Sequence, residues 1–265
     1  MSSSEMVTSP ANPLIKDVRR AIARGGMTDE GCVVAEGFHL LEEALRSKRE
    51  VPVVLASEAV ASIVERHVRG LKATRTVIVP EKLFGQIAST EASQGVMALV
   101  KPREWKPEQL FHGRSLVVVL DGLQDPGNAG AIVRAAEAFG ASGVMFLKGT
   151  ASPLHPKTLR ASAGSLFRVP YVAGLTVEMA VAGLRQHGVE VFAAMPAGAK
   201  RKLAGDADFA QPCAIVIGSE GRGVSEELAR MATEVAIPTT GVESLNAAVA
   251  AAVLLYEARR QRVQR

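Results

Sequence analysis

The chain has 265 residues and a mass of 27.9 kDa, with 48% apolar and 22% charged residues. That mix excludes a disordered, collagen-like or coiled-coil chain, and at about 150 residues per domain it leaves room for one large domain or two small ones. Lys and Arg number 31 against 27 Asp and Glu, a formal net charge of +4, which points only weakly to a polyanionic partner.

Pro10 and Pro13 open a first segment in which VRRAIAR reads as a helix and CVVAEG as a strand. FHLLEEALRSK follows as an amphipathic helix, VPVVLAS as a strand, ASIVERHVRGL as a helix and TVIV as a strand. KLFGQIAS is a short helix and GVMALV a closing strand. Alternating strands and helices imply an α/β layer domain. KPREWKPEQLFHG, at 101–113, breaks the alternation with two prolines, mixed charges and the single Trp. The division expected is a first domain over 1–105, a linker over 106–113 and a second domain over 114–265.

The second domain starts at SLVVVLDGL, a continuous apolar run of the kind buried on both faces of a parallel sheet. QDPGN is a loop, AGAIVRAAEAFG a helix and GVMFL a strand. TLRASAGSLF reads as helical, VPYV as extended and TVEMAVAGLRQHG as helical; VEVFAAM, CAIVIG and EVAIP read as strands. SLNAAVAAAVLLYEARRQR is a long terminal helix, with Ser244 as its expected N-cap and Leu245, Val249, Val253 and Tyr256 as an apolar stripe. Arg259, Arg260 and Arg262 form a local basic excess near its end.

Cys32 and Cys213 are far apart and no C-x-x-C pair exists, so neither a disulfide framework nor a metal site is expected, and the chain reads as cytoplasmic with reduced thiols. MSSSEMVTSPANPLIKD holds no apolar core, so no signal peptide is expected, and no apolar run approaches the roughly 20 residues that span a bilayer.

Three loops carry the chemistry, each at the C-terminal end of an expected strand, the edge where ligands bind in parallel α/β sheets. In LDGLQDPGNAGAIVR, Asn128 either caps the helix or joins its N-terminus in cradling a polar ligand, and Arg134 lies about two turns in, placed to reach an anion. In IVIGSEGRG, closely spaced glycines imply close backbone approach, and Glu220 must cap a neighbour or bind a polar partner. In AIPTTGVESLN, Pro238 and Gly241 fix a turn, and Asn246 has less reason than Ser244 to open a helix, since Asn is a mediocre helix former. Each loop alone also fits an ordinary capped turn. There is no G-x-G-x-x-G, no P-loop and no G-x-S-x-G elbow, which argues against a dinucleotide oxidoreductase or a hydrolase.

Together the loops resemble the motifs of the SpoU, or TrmH, family of RNA ribose 2′-O-methyltransferases, in the SPOUT superfamily. N-x-G-x-x-x-R is matched by Asn128, Gly130 and Arg134; G-x-E-G-x-G by Gly218, Glu220, Gly221 and Gly223; I-P-x-x-G-x-x-S-L-N by Ile237, Pro238, Gly241, Ser244, Leu245 and Asn246. SPANPLIKDVRRA and VAEGFHLLEEAL are more loosely similar to the ribosomal-protein-like substrate-binding domain often fused to this family. One departure is Ala248, where many members carry a hydroxyl.

The resemblance implies an α/β catalytic domain with a C-terminal trefoil knot, a homodimer through the terminal helix, and S-adenosylmethionine held around Gly218, Ile237, Pro238, Gly241, Leu245 and Asn246. It implies methyl transfer to a ribose 2′-hydroxyl of structured RNA. Ribosomal RNA is the first choice and transfer RNA the alternative; a non-catalytic RNA-binding assembly protein on the same fold is the other reading. Asn128, Ser244 and Asn246 are expected to position the ribose and Arg134, and Glu220 to orient either its own loop or Arg134. Keeping an Arg neutral near pH 7 would cost roughly 7 kcal/mol. Arg134 is therefore expected to stay charged, bind the RNA phosphate and steady the developing alkoxide, while a phosphate oxygen or water takes the proton. Lys16, Arg19, Arg20 and Arg24 are the candidate RNA contacts of the first domain.

Overall fold

The computed structural model describes residues 4–196, 198 and 201–264. They form two compact units: Met1–Glu104 with Leu154–Arg168, and Trp105–Pro153 with Val169–Arg265.

In the first unit the chain runs β1 (Ser4–Met6), α1 (Pro13–Arg24), β2 (Val33–Glu36), α2 (Phe38–Arg46), β3 (Val53–Ser57), α3 (Ala61–His67), β4 (Arg75–Val79), α4 (Glu81–Ile87) and β5 (Val96–Val100). The sheet order is β1-β4-β3-β5-β2, with β1, β4 and β3 parallel and β5 antiparallel to both neighbours. Strand β1 was not expected from the sequence; its three residues pair along β4 through the register Glu5 to Val77. Helix α1 starts where the Asn12 side chain accepts from the Leu14 N–H at 2.9 Å and stops at Gly25, whose φ of 59° suits glycine. It buries Ile15, Val18 and Ala21 against the sheet and leaves Lys16, Arg19, Arg20 and Arg24 exposed.

In the second unit β6 (Leu116–Asp121) is buried along its whole length, as its unbroken apolar run requires. α5 (Pro126–Ala138) and β7 (Gly143–Leu147) follow, and the chain then leaves for α6 (Pro156–Ala161), which lies in the first unit. It returns through β8 (Tyr171–Leu175), α7 (Val177–Gln186), β9 (Glu190–Met195), β10 (Lys202–Leu203), β11 (Cys213–Gly218), α8 (Glu226–Met231), β12 (Thr233–Ala236) and α9 (Ala247–Gln264). All seven strands are parallel, in the order β10-β12-β9-β11-β6-β7-β8. The chain steps outward from β6 to β7 and β8, then crosses to the other side, so β6 and β11 flank the point where the winding reverses. The crevice beyond the C-terminal ends of such strands is where open α/β sheets bind ligands.

The sequence reading put Leu154–Arg168 in the second domain; it packs with the first because of two buried carboxylates. Glu36 accepts from the Ser89 N–H at 3.0 Å, the Thr90 hydroxyl at 2.8 Å and Arg160 at 3.5 Å. Glu43 pairs with Arg168 at 2.6 Å and with Arg46. TLRASAGSLF is correspondingly not one helix: α6 ends at Ala161, and Ala163 and Gly164 take φ of 48° and 87°. At Gly164 a Cβ would lie 2.6 Å from that of Glu43.

Helix α9 corrects the expected stripe. Ala247, Ala251, Leu254, Leu255 and Ala258 form its buried face, while Val249, Val253 and Tyr256 are exposed by 49%, 39% and 57%. Its basic end is largely consumed by the fold. Arg262 donates to the carbonyls of Phe209, Ser115 and Gln211, and Arg260 pairs with Glu257. Among the described residues no helix is long and apolar enough to cross a membrane.

Candidate functional site

The loop after β6 is closed by a side chain the sequence reading did not single out. Thr150 Oγ1 accepts from the Gly122 N–H at 3.0 Å and donates to the Leu120 carbonyl at 2.9 Å, with Gly122 at φ 70°. The cap of α5 is Asp125, which accepts from the Gly127 and Asn128 N–H groups at 3.2 and 3.1 Å. Asn128 is therefore not the cap, and its amide is free for other partners. Arg134 is exposed and makes no hydrogen bond or ion pair among the described residues, so it is not held by Asn128, Ser244, Asn246 or Glu220. Side chains on a helix lean toward its N-terminus. Positions four and seven residues before Arg134 are Gly130 and Gly127, which put no side chain on that line of the helix.

The loop after β11 folds back on itself. Ser219 and Gly223 exchange backbone hydrogen bonds at 3.1 and 2.9 Å, and the Ser225 N–H donates to Asp121 Oδ2 at 2.7 Å, tying the return of this loop to the end of β6. A Cβ at Gly218 would lie 2.3 Å from the Gly223 carbonyl carbon and 2.5 Å from the Val224 nitrogen. Only glycine fits there. Asp121 was not singled out from sequence; an acidic residue ending an apolar strand was its one signal.

The loop after β12 turns at Gly241, φ 79°, with Thr239 Oγ1 donating to the Val242 carbonyl. The expected cap Ser244 is exposed and makes no hydrogen bond among the described residues. Asn246 takes that role, its Oδ1 accepting from the Ala248 and Val249 N–H groups at 2.9 and 3.3 Å.

The three loops meet through side-chain amides. Asn246 Nδ2 donates to Asn128 Oδ1 at 3.1 Å, and Asn128 Nδ2 donates to Glu220 Oε1 at 2.7 Å. Donation thus runs from the start of α9 through the first loop to the second. Beside this chain lies a cavity of about 260 Å³, close to the lower bound of about 300 Å³ usual for small-molecule pockets. Gly218, Glu220, Ile237, Ser244 and Leu245, all singled out from sequence, line it. Thr239 and Glu243, which were not, line it as well. Pro238 and Gly241 shape the third loop without lining the cavity, and Arg134 is outside the lining. No backbone–backbone hydrogen bond is made by residues 238–245 among the described residues.

In the first unit, Lys16, Arg19 and Arg20 line a groove of about 950 Å³ with Arg75 and the carboxylates of Asp17 and Asp29; Arg24 is exposed outside it. Arg20 is spent on Asp29 at 2.6 Å and Asp17 at 3.4 Å, whereas Lys16, Arg19 and Arg24 have no partner among the described residues.

The model of the SpoU rRNA Methylase family matches residues 115–256, and that of the MRM3-like substrate binding domain matches residues 12–98. The chain is 31% identical to the 23S rRNA (guanosine(2553)-2′-O)-methyltransferase of Bacillus subtilis over 96% of this chain and 99% of that one. Among solved structures it resembles the AdoMet-bound rRNA methyltransferase from Sinorhizobium meliloti, with TM-score 0.82, 29% identity and coverage of 97% and 98%. It also resembles the SpoU methyltransferase AviRb from Streptomyces viridochromogenes in complex with AdoMet, with TM-score 0.80, 26% identity and coverage of 96% and 100%.

Proposed function

This chain belongs to the SpoU rRNA methylase family, and from that premise we propose that it transfers a methyl group from S-adenosylmethionine to a ribose 2′-hydroxyl of structured RNA in the cytoplasm, with ribosomal RNA as the substrate class. When bound, S-adenosylmethionine supplies a methyl carbon already activated by a positive sulfur. The observation that carries the reading is the meeting of the three motif loops: the Asn246–Asn128–Glu220 chain lies beside a cavity walled by Gly218, Ile237 and Leu245.

The residues present fit the cofactor. Ile217, Ile237, Leu245 and Leu254 offer apolar walls for a flat ring, the backbone of 238–245 has unspent donors and acceptors for ring edges and hydroxyls, and Glu220 and Glu243 offer carboxylates to its positive charges. Asn128, Ser244 and Asn246 position the ribose. Arg134 remains charged, grips an RNA phosphate with its fork and steadies negative charge on the attacking oxygen. Arg134→Lys keeps the charge but loses the fork; turnover falls at least ten-fold at matched RNA affinity, and a Lys enzyme as fast as wild type would refute the role.

Lys16, Arg19 and Arg24 contact RNA phosphates in the first unit. Deleting residues 1–100 would strip Glu36 and Glu43 from Arg160 and Arg168, so charge removal is the cleaner test. Replacing the three by Ala lowers the salt dependence of RNA binding by roughly 0.7–0.9 per lost contact. The exposed stripe Val249, Val253 and Tyr256 supports a homodimer through α9. A trefoil knot belongs to the same reading; in its favour, α9 follows β12 near one edge of the sheet yet packs on α5 and on the central β11.

Calorimetry with S-adenosylmethionine, and mapping of ribose methylation in cellular RNA with and without the protein, test the whole. Cofactor uptake and one lost methyl mark in ribosomal RNA are expected; a lost mark in transfer RNA would change the substrate, and no uptake would refute the activity.

A further inference from the structure

We propose that Glu220 is the group that accepts the proton of the attacking 2′-hydroxyl, an assignment that rests on the methyltransferase reading above. The reaction forms an oxygen–carbon bond and breaks a carbon–sulfur bond, whose electron pair stays on sulfur. The hydroxyl proton must leave for the balance to close. An alcohol parts with that proton reluctantly at first, but it becomes far more acidic as its oxygen bonds the methyl carbon, while Arg134 steadies any negative charge that runs ahead of that bond. The acceptor therefore needs placement more than basicity, and a carboxylate suffices.

Among the described residues lining the cavity only two side chains are carboxylates, Glu220 and Glu243. Arg134 cannot take a proton it already holds. Glu243 is exposed and makes no hydrogen bond among the described residues, so nothing aims it. Glu220 is aimed: its Oε1 receives Asn128 Nδ2 at 2.7 Å, Asn128 Oδ1 receives Asn246 Nδ2 at 3.1 Å, and Asn246 Oδ1 is pinned by the Ala248 N–H at 2.9 Å. Both amides are thus fixed in one orientation, and the chain of donors ends on a group that, ionised, only accepts. Glu220 Oε2 remains without a partner, on a side chain exposed enough to pass the proton on to solvent. Of the charged groups on the same elements, Arg222 shares its loop, Asp121 ends β6 and Asp125 caps α5. Asp121 and Asp125 are already committed to backbone N–H groups. This geometry replaces the expected phosphate oxygen or water with a side chain.

Glu220→Gln is the discriminating variant, because Gln Oε1 still accepts from Asn128 while the basicity is gone. Single-turnover transfer of tritium from methyl-labelled S-adenosylmethionine to ribosomal RNA from cells lacking the protein is followed at pH 7. For the Gln variant a rate at least about a hundred-fold lower than wild type is expected. Rates are compared at saturating S-adenosylmethionine, with uptake by the Gln variant verified by calorimetry. Glu220→Ala should regain rate in proportion to added formate. A Gln variant within a few-fold of wild type, or an Ala variant that formate does not rescue, overturns the assignment and leaves Glu220 a positioning residue. A wild-type protein that binds no cofactor and moves no tritium would instead overturn the methyltransferase reading itself, and this assignment with it.

Discussion

Asn246 and Asn128 share one hydrogen bond, from Nδ2 of the first to Oδ1 of the second at 3.1 Å, while Asn246 Oδ1 caps α9 through Ala248 and Val249. One amide thus does two jobs with its two ends, and substitutions can separate them. Asn246→Asp keeps a capping oxygen but turns an oxygen toward Asn128 Oδ1. It should hold or slightly raise stability, since a carboxylate favours a helix N-terminus, and should cut methyl transfer at least ten-fold. Asn246→Ala should lose the transfer and also about 1 kcal/mol of stability. Thermal melts beside turnover check this; equal melting losses in both variants would mean that the cap is unimportant.

Gly218 is bounded by backbone rather than by a yielding side chain, with a Cβ 2.3 Å from the Gly223 carbonyl carbon. Gly218→Ala must open the hairpin closed by Ser219 and Gly223 and pull on the Ser225–Asp121 bond. A loss of about 1–3 kcal/mol is expected, as for overpacking elsewhere, together with weaker cofactor uptake. Urea unfolding and calorimetry on the same sample measure both.

The sheet and the position of the site were readable in the sequence because their signals are local. The runs LVVVLD and CAIVIG are long enough to demand burial on both faces, and each motif loop directly follows its strand. What escaped depends on distant partners. Nothing near Arg160 or Arg168 announces Glu36 and Glu43, more than a hundred residues earlier, so the transfer of 154–168 to the first unit was invisible. The cap of α9 was misassigned by two residues, Asn246 for Ser244, and of the two readings left open for Asn128 the capping one fell to Asp125, because several good capping residues compete at each start and only backbone geometry chooses. In α9 Ala247, Ala251 and Ala258 share the buried face with Leu254 and Leu255 while Val249, Val253 and Tyr256 stay outside, since a close helix–helix contact with α5 prefers small side chains.

His155 caps α6 by accepting the Lys157 N–H on Nδ1 at 3.0 Å, which requires that nitrogen to be unprotonated. Burial first, then the charges of Arg160 and Lys157, hold its pKa below the ordinary 6.5. The unfolded chain therefore binds this proton more readily than the folded one. The resulting stabilisation is complete above about pH 6.5 and is lost as pH falls through the folded-state value. His155→Asn keeps a capping oxygen without a titrating ring. Wild type should lose more of its urea midpoint than the variant between about pH 7.5 and 5; parallel losses would contradict this linkage.

Val249, Val253 and Tyr256 recur at four and three residues and so stand on one face of α9, exposed by 49%, 39% and 57%. The opposite face already buries Ala251, Leu254, Leu255 and Ala258, so the helix cannot turn to hide both. The proposed homodimer would cover this row of large apolar side chains, beside a cavity that the same helix lines through Ala247, Ala250 and Leu254, by bringing identical rows together around a two-fold axis. Val253→Glu would place two carboxylates in that contact. Light scattering should give a dimer for wild type at micromolar concentration and a monomer for the variant, with helical circular dichroism retained because Val253 is not part of the core. Cofactor affinity should fall along with dimerisation, since α9 carries both the contact and one wall of the cavity. A monomeric wild type, or a variant that still pairs, would remove the partner from this face.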